Sequence, residues 1–141
     1  MRNVSMPWRT AAARAARREE AKLHRLCVKL LRERLPDVVT YRHDGGVQLA
    51  SSWHYRLRKM EGSTKGAPDL FIAQPGRSGR CGLFVEFKSL SGVLTHDQNA
   101  RIAHLQEVGY RCGVVRNKEQ FLTLLSYHLE SVCATPTTLP C

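Results

Sequence analysis

The first strong pattern along the chain is a set of apolar residues that recur every three to four positions. Between Arg17 and Leu35 they follow the spacing of one helix face, at Leu23, Leu26, Cys27, Leu30 and Leu31. Pro36 follows directly, and proline cannot continue a helix. The spacing therefore predicts an amphipathic helix whose apolar stripe faces a core.

Four downstream segments have the short β-branched and aromatic runs that are typical of strands. Asp69 to Ala73 and Gly82 to Lys88 are separated by a turn-rich segment, and together they predict an antiparallel hairpin. Tyr110 to Val115 predicts a further strand. Val38 to Arg42, followed by Asp44-Gly45-Gly46, predicts a strand and a turn after the first helix.

Two further helices are predicted from their ends. Thr95 and Gln98 have the spacing of a capping box, and Gly109 stops the helix that begins there. Asn117 is placed to cap a last helix that runs to about Glu130. The order of helix, strand, hairpin, helix, strand and helix predicts an α/β fold around a mixed sheet. The apolar residues assigned to the inner faces of these two helices are Ile102, Leu105, Val108, Phe121, Leu124, Leu125 and Leu129.

A chain of 141 residues suits a single domain. We expect a basic, flexible N-terminal arm over residues 1–16, a folded domain over residues 17–130 and a flexible C-terminal tail over residues 131–141. The first 18 residues contain five arginines and no acidic residue. No segment approaches the roughly 20 apolar residues that span a bilayer, and the five cysteines contain no C-x-x-C pair. These features predict a soluble intracellular protein without a membrane partner.

The net charge of +10 favours a polyanionic partner, because lysine and arginine gain affinity by displacing counterions from phosphates. Nucleic acid fits this charge better than anionic lipid. A solvated basic face with no partner is the alternative, so a defined site is needed to decide.

A segment that mixes aromatic and basic side chains is a second indication of nucleic-acid binding. Trp53 to Met60 can lie along a phosphate backbone, with bases stacked on Trp53 or Tyr55. A short surface helix with one buried aromatic residue is an equal alternative. The residues that we assign to DNA contact are Arg56, Arg58, Lys59 and Lys65.

The most informative pattern is two acids and a lysine on the predicted hairpin. Pro68-Asp69 opens its first strand, and Glu86-Phe87-Lys88 ends its second strand. Residues two apart in a strand share a face, so Glu86 and Lys88 project together. If the two strands pair, Asp69 lies beside Glu86.

Two carboxylates this close repel each other unless a cation lies between them. Mg²⁺ suits the position, since it is typically held by one or two carboxylates plus substrate phosphates, and we expect Mn²⁺ to substitute. An adjacent lysine can orient or deprotonate water and stabilise charge on a phosphate. The pattern therefore indicates phosphodiester hydrolysis by Asp69, Glu86 and Lys88. The alternative is an ordinary exposed ion pair between Glu86 and Lys88, with Asp69 capping a turn.

At these residues the chain resembles the VRR-NUC (virus-type replication-repair nuclease) family of the PD-(D/E)xK nuclease superfamily. The resemblance includes the segments KGAPDLFIA, GLFVEFKS, LTHDQ and LQEVGYRCGVV, and it covers roughly Glu20 to Leu129. It implies a restriction-endonuclease-like αβββαβ core with a mixed central sheet flanked by helices, and it makes residues 17–130 the nuclease domain.

The resemblance also implies roles for single residues. Asp69 and Glu86 would bind the divalent metal, the backbone carbonyl of Phe87 would contribute a further ligand, and Lys88 would be the catalytic lysine. Gln98 matches the family's helix glutamine and joins the catalytic set.

The first helix should contribute one more acid. Glu20 matches the family's first-helix acid, which makes it a catalytic residue and a candidate metal ligand. The sequence departs from the family here, because Glu19 is a competing acid and His24 stands where the family often has glutamine. Periodicity places Glu19 and Glu20 on either side of the buried stripe, and both can also simply complement the helix dipole.

The expected function is that of a Mg²⁺-dependent DNA endonuclease in replication, recombination or repair. The resemblance implies a homodimer that cuts branched DNA, such as a four-way (Holliday) junction, in the manner of the family's stand-alone members, and it is compatible with a viral or phage origin. One alternative is a restriction-like, sequence-specific nuclease. The other is a DNA-binding module that has lost its activity.

Overall fold

A computed structural model of the protein describes residues 10–43, 62 and 64–129. The predictions for the turn at 44–46, the aromatic and basic segment at 53–60 and the tail at 131–141 lie outside these residues. Three of the four residues assigned to DNA contact, Arg56, Arg58 and Lys59, therefore also lie outside them.

The first helix, α1, spans Ala11–Arg34. Its N-cap is Thr10, whose hydroxyl accepts a hydrogen bond of 3.1 Å from the Ala13 N–H. The helix thus begins earlier than the predicted start at Arg17, and residues 11–16, predicted as part of a flexible arm, are helical. The reason is an alanine-rich run of high helix propensity behind a good N-cap.

Four strands form one sheet in the described part of the chain, in the order β1-β2-β3-β4. β1 pairs antiparallel with β2, β2 pairs antiparallel with β3, and β3 pairs parallel with β4. The predicted hairpin and mixed sheet are confirmed, although each strand is one or two residues shorter than predicted at one or both ends. The strands span Thr40–Arg42, Leu70–Ile72, Leu83–Phe87 and Arg111–Val115.

The two later helices begin at their predicted caps. Helix α2, His96–Glu107, has the complete capping box of Thr95 and Gln98, and it forms the crossover between the parallel strands β3 and β4. Helix α3 spans Lys118–Leu129, and the Asn117 side chain accepts a hydrogen bond of 2.8 Å from the Gln120 N–H.

Alternation along β3 separates a core face from a face that carries charge. Leu83, Val85 and Phe87 are buried in the core, on the side that α1 and α3 cover, whereas Glu86 points towards α2. The core consists of Cys27, Leu31, Leu70, Ile72, Leu83, Val85, Phe87, Val115, Phe121 and Leu125. This arrangement is the predicted α/β fold, with the αβββαβ order followed by one more helix.

Two residues assigned to buried helix faces are instead exposed. Leu26 is 41% exposed, because it lies a full 100° round the helix from the buried Cys27. Val108 is 53% exposed, because α2 has already ended and Val108 is its C-cap. No helix in the described ranges is long and apolar enough to cross a membrane.

Candidate active site

Asp69 and Glu86 face each other across two neighbouring strands. The register pairs Leu70 with Val85, so the preceding Asp69 lies opposite Glu86. Asp69 stands just before β2, and its Oδ2 accepts a hydrogen bond of 2.8 Å from the Phe87 N–H. The backbone of β3 therefore fixes the Asp69 carboxylate at the point where the strand ladder ends.

Glu86 is held from two sides. It is 2% exposed, and its Oε1 accepts a hydrogen bond of 2.5 Å from the Gln98 side-chain amide. The Lys88 ammonium lies 3.2 Å from the same oxygen, and the Lys88 side chain is only 12% exposed. The shared face of Glu86 and Lys88 follows from the two-residue period of the strand. Neither contact uses the second carboxylate oxygen, Oε2.

The electrostatics of the pair disfavour two negative charges. Burial raises the pKa of Glu86 to about 7, and the neighbouring charge of Asp69 acts in the same direction, while Lys88 partly opposes both. Burial also raises the pKa of Asp69, against the opposing effects of the Phe87 N–H and of Lys88. Lys88 thus opposes the raised pKa of both carboxylates, which are costly to ionise together.

Of the two competing acids on α1, the structure places Glu20 beside the site. Its Oε1 accepts a hydrogen bond of 3.0 Å from the Ser89 N–H, and its charge adds to the raised pKa of Glu86. Glu19 is exposed. His24, one turn further along α1, stacks on the Phe87 ring at 4.5 Å between centroids and so supports the strand end that holds Asp69.

The donor set fits a hard divalent cation. Among the described residues, no three His, Cys, Asp or Glu side chains converge as a metal cluster. Mg²⁺ needs only one or two carboxylates and takes its remaining ligands from water and phosphate, so Asp69 and Glu86 suffice. The carbonyl of Phe87 lies on the same strand edge as its N–H, which bonds Asp69, so it is also available on that side.

Two contributors to the site were missed by sequence reasoning. Arg116, at the end of β4, donates hydrogen bonds of 2.6 Å to the carbonyl oxygens of Ser89 and Gly92 and so holds the segment after Lys88. Gly66 has φ of +77°, and a Cβ there would lie 2.5 Å from the Asp97 carbonyl oxygen at the start of α2. Only Gly66 had a sequence signal, since it belongs to the KGAPD segment.

The remaining predicted DNA contact, Lys65, lies on the loop before Asp69. Its ammonium is 2.8 Å from Asp97 Oδ2, and its side chain is 73% exposed. The loop and the N-terminal end of α2 therefore meet through both Lys65 and Gly66, next to the helix turn that carries Gln98.

Comparison with known proteins identifies the family of the chain. The family model for the VRR-NUC domain matches residues 9–119, so the chain belongs to the VRR-NUC family, which is a nuclease family. A solved structure described as a VRR_NUC domain protein is similar, with a TM-score of 0.51 and 23% identity over 64% of this chain and 67% of that chain. At this identity the likeness concerns the fold. No curated protein matches the chain.

Proposed function

We propose that the protein is a Mg²⁺-dependent DNA endonuclease that cuts branched DNA, such as a four-way junction, as a homodimer. The observation that carries this proposal is the pair of the half-buried Asp69 and the buried Glu86, which lie opposite each other with Lys88 at 3.2 Å from Glu86. Membership of a nuclease family supports phosphodiester hydrolysis as the reaction at this pair.

The side chains divide the chemistry among them. A divalent ion held by Asp69 and Glu86 would supply positive charge opposite the scissile phosphate. Lys88 orients the attacking water and stabilises the charge that builds on the phosphate. Gln98 fixes the Glu86 carboxylate through Oε1, and Glu20 fixes the backbone after Lys88 through Ser89.

DNA as the substrate is supported by the net charge of +10. The preference for branched DNA and the homodimer rest on the family resemblance. They are physically consistent with each other, because two sites related by a two-fold axis can cut opposing strands of a symmetric junction.

The test is cleavage of end-labelled four-way junction, flap and linear duplex DNA with Mg²⁺ or Mn²⁺. We expect Asp69→Ala, Glu86→Ala and Lys88→Ala each to lower cleavage on the order of 10²-fold or more, because each removes charge at the transition state. Glu20→Ala should lower cleavage as well, and Glu19→Ala is its matched control because Glu19 is exposed.

Two outcomes would contradict the proposal. Wild-type protein that binds these DNAs but cuts none of them with either metal would be a binding module. A monomeric mass at assay concentration together with full junction cleavage would contradict the homodimer.

A further inference from the structure

A four-residue loop beside the site displays two apolar side chains to solvent. Leu90 is 79% exposed and Val93 is 80% exposed, more than any other large apolar residue in the described part of the chain. Single exposed apolar residues are ordinary on protein surfaces. We name this segment the 90–93 loop. Two exposed apolar side chains in one short loop require an explanation, because burial of each would be favourable.

The 90–93 loop is held in a fixed shape. The Arg116 guanidinium donates to the carbonyls of Ser89 and Gly92, both at 2.6 Å, and these are bonds from a charged donor. Ser89 is 7% exposed and its N–H donates to Glu20, while the Gly92 N–H donates back to the Ser89 carbonyl at 3.1 Å. The anchors are therefore part-buried polar contacts at Ser89 and Gly92, and the residues that follow each of them, Leu90 and Val93, are exposed.

The loop adjoins the catalytic lysine. Leu90 follows Lys88 by two residues, and a Cβ added at Gly92 would lie 3.4 Å from Lys88 Cδ. Glu20 bonds the same backbone. A phosphate bound at Lys88 would therefore place its flanking nucleotides near the 90–93 loop.

We propose that Leu90 and Val93 form a wedge that enters between bases next to the scissile phosphate and unstacks them at a branch point. The proposal rests on the proposed function. Proteins that kink DNA insert apolar side chains such as leucine, isoleucine or phenylalanine between base steps in this way, and unstacking costs a few kcal/mol per step. That cost is smallest where a junction already interrupts the stack, so a rigid wedge favours branched DNA over continuous duplex.

A second copy of the chain fits the 90–93 loop less well than DNA bases do. A stable protein interface buries about 800 Å² on each partner, which two side chains on a short loop cannot supply. The position beside Lys88 also points to substrate, since the Lys88 ammonium attracts phosphate.

The experiment compares the double variant Leu90→Ser, Val93→Ser with Val108→Ser. Val108 is a matched control because it is 53% exposed at the far end of α2. We measure kcat/KM on a four-way junction and on single-stranded DNA of the same sequence, and the fluorescence of 2-aminopurine at the branch point during binding in the absence of divalent metal. In the double variant, kcat/KM should fall about 10-fold or more on the junction and change by less than about 2-fold on single-stranded DNA. The 2-aminopurine fluorescence should not increase on binding.

Three outcomes would overturn the wedge. Equal losses on junction and single strand would mean a general defect, and unchanged junction cleavage would mean that the loop is inert. A dimer that dissociates in the double variant, by sedimentation, would assign the loop to a protein interface. If wild-type protein cuts no DNA, the proposed function fails, but the 2-aminopurine signal still tests the wedge by itself.

Discussion

The two ends of the β3-β4 pair differ in how the protein contacts their charged side chains. At the end where β4 begins, Arg80 donates to the carbonyls of Gln106 at 3.1 Å and Tyr110 at 3.5 Å, at the C-terminal end of α2. Arg111 donates to the Arg77 carbonyl at 3.3 Å, and its guanidinium lies 4.4 Å from the centroid of a tyrosine ring on α3. These cations meet fixed partial negative charges of the protein itself, although the buried Nε of Arg111 has no hydrogen-bond partner among the described residues.

The histidine at that end follows the same rule. His128 is fully buried, its Nε2 is 2.7 Å from the Gln74 carbonyl oxygen, and burial lowers its pKa. A neutral ring with its proton on Nε2 donates this bond. Its Nδ1, which has no partner among the described residues, is then an unprotonated acceptor that carries no charge.

At the opposite end, nearby cations do not fully offset the two carboxylates: burial raises the pKa of Asp69 although Lys88 and Arg42 oppose that shift. Asp69 and Glu86 lie opposite each other, and Lys88 is the cation that contacts Glu86. The imbalance is a cost to the folded protein that an external cation would remove. The comparison teaches that carbonyl groups and an aromatic ring of the protein contact the cations at one end, whereas at the other end the repulsion between two carboxylates favours the bound cation that we propose.

The largest expected effect is on stability, at the end of the sheet where β4 begins. In Gly76→Ala the new Cβ overlaps the buried His128 ring, which is also the ring bonded to Gln74. We expect a loss of about 3 kcal/mol in the free energy of unfolding, from overpacking and a strained hydrogen bond. Urea unfolding measures it, and cleavage per folded molecule should not change.

Gly79→Ala is the matched control for this substitution. Gly79 lies on the same turn with φ of +69°, but a Cβ there meets nothing within 4 Å. It should cost only about 1 kcal/mol, through the left-handed backbone. Equal losses in the two variants would mean that the buried ring has no special importance.

The next effect is a pH dependence of the free energy of unfolding, which originates at the end of the sheet with Asp69 and Glu86. The pKa of Glu86 in the folded protein, about 7, lies above its ordinary value of 4.5, so the folded state binds this proton more tightly than the unfolded chain. In the absence of metal, the stability that this group contributes is complete below pH 4.5 and is lost as the pH rises to about 7. Between pH 5 and pH 8 the loss should be about 2 kcal/mol.

The comparison that isolates this effect is wild type against Glu86→Gln. The lowered pKa values of His24 and His128 give a stability that rises with pH up to their ordinary value of 6.5, and the variant retains that contribution. The free energy of unfolding of the wild type, minus that of Glu86→Gln, should therefore fall as the pH rises. Excess Mg²⁺ should restore wild-type stability at pH 8, because the ion binds the deprotonated carboxylates. Parallel profiles for the two proteins would contradict the electrostatic account.

The sequence predicted the parts of the site that depend on local geometry. Glu86 and Lys88 share a face because of the strand period, and Asp69 comes beside Glu86 because a hairpin allows few registers. Gln98 was marked by its capping box, and in the folded protein the same side chain both completes the cap and donates to Glu86. Short sequence separations were enough for these residues.

The parts that were missed depend on contacts between distant segments. The carbonyls of Ser89 and Gly92 that Arg116 holds are 27 and 24 residues away from it, and a bond from a side chain to a carbonyl leaves no pattern in the acceptor's sequence. Gly66 is required by a close approach to Asp97 that only the folded chain shows. The choice of Glu20 over Glu19 likewise needed the position of Ser89.

The smallest expected effect concerns Lys65, at the edge of the catalytic end. Its contact with Asp97 is exposed, so Lys65→Ala should leave thermal unfolding unchanged. If Lys65 contacts a phosphate, the slope of log affinity against log salt concentration should fall by about one. Arg34→Ala removes the same charge from the far end of α1 and should leave this slope unchanged. Equal changes of the slope in both variants would assign the effect to net charge. A change confined to Lys65→Ala would mean that the bound phosphate backbone runs from Lys88 to the loop before Asp69.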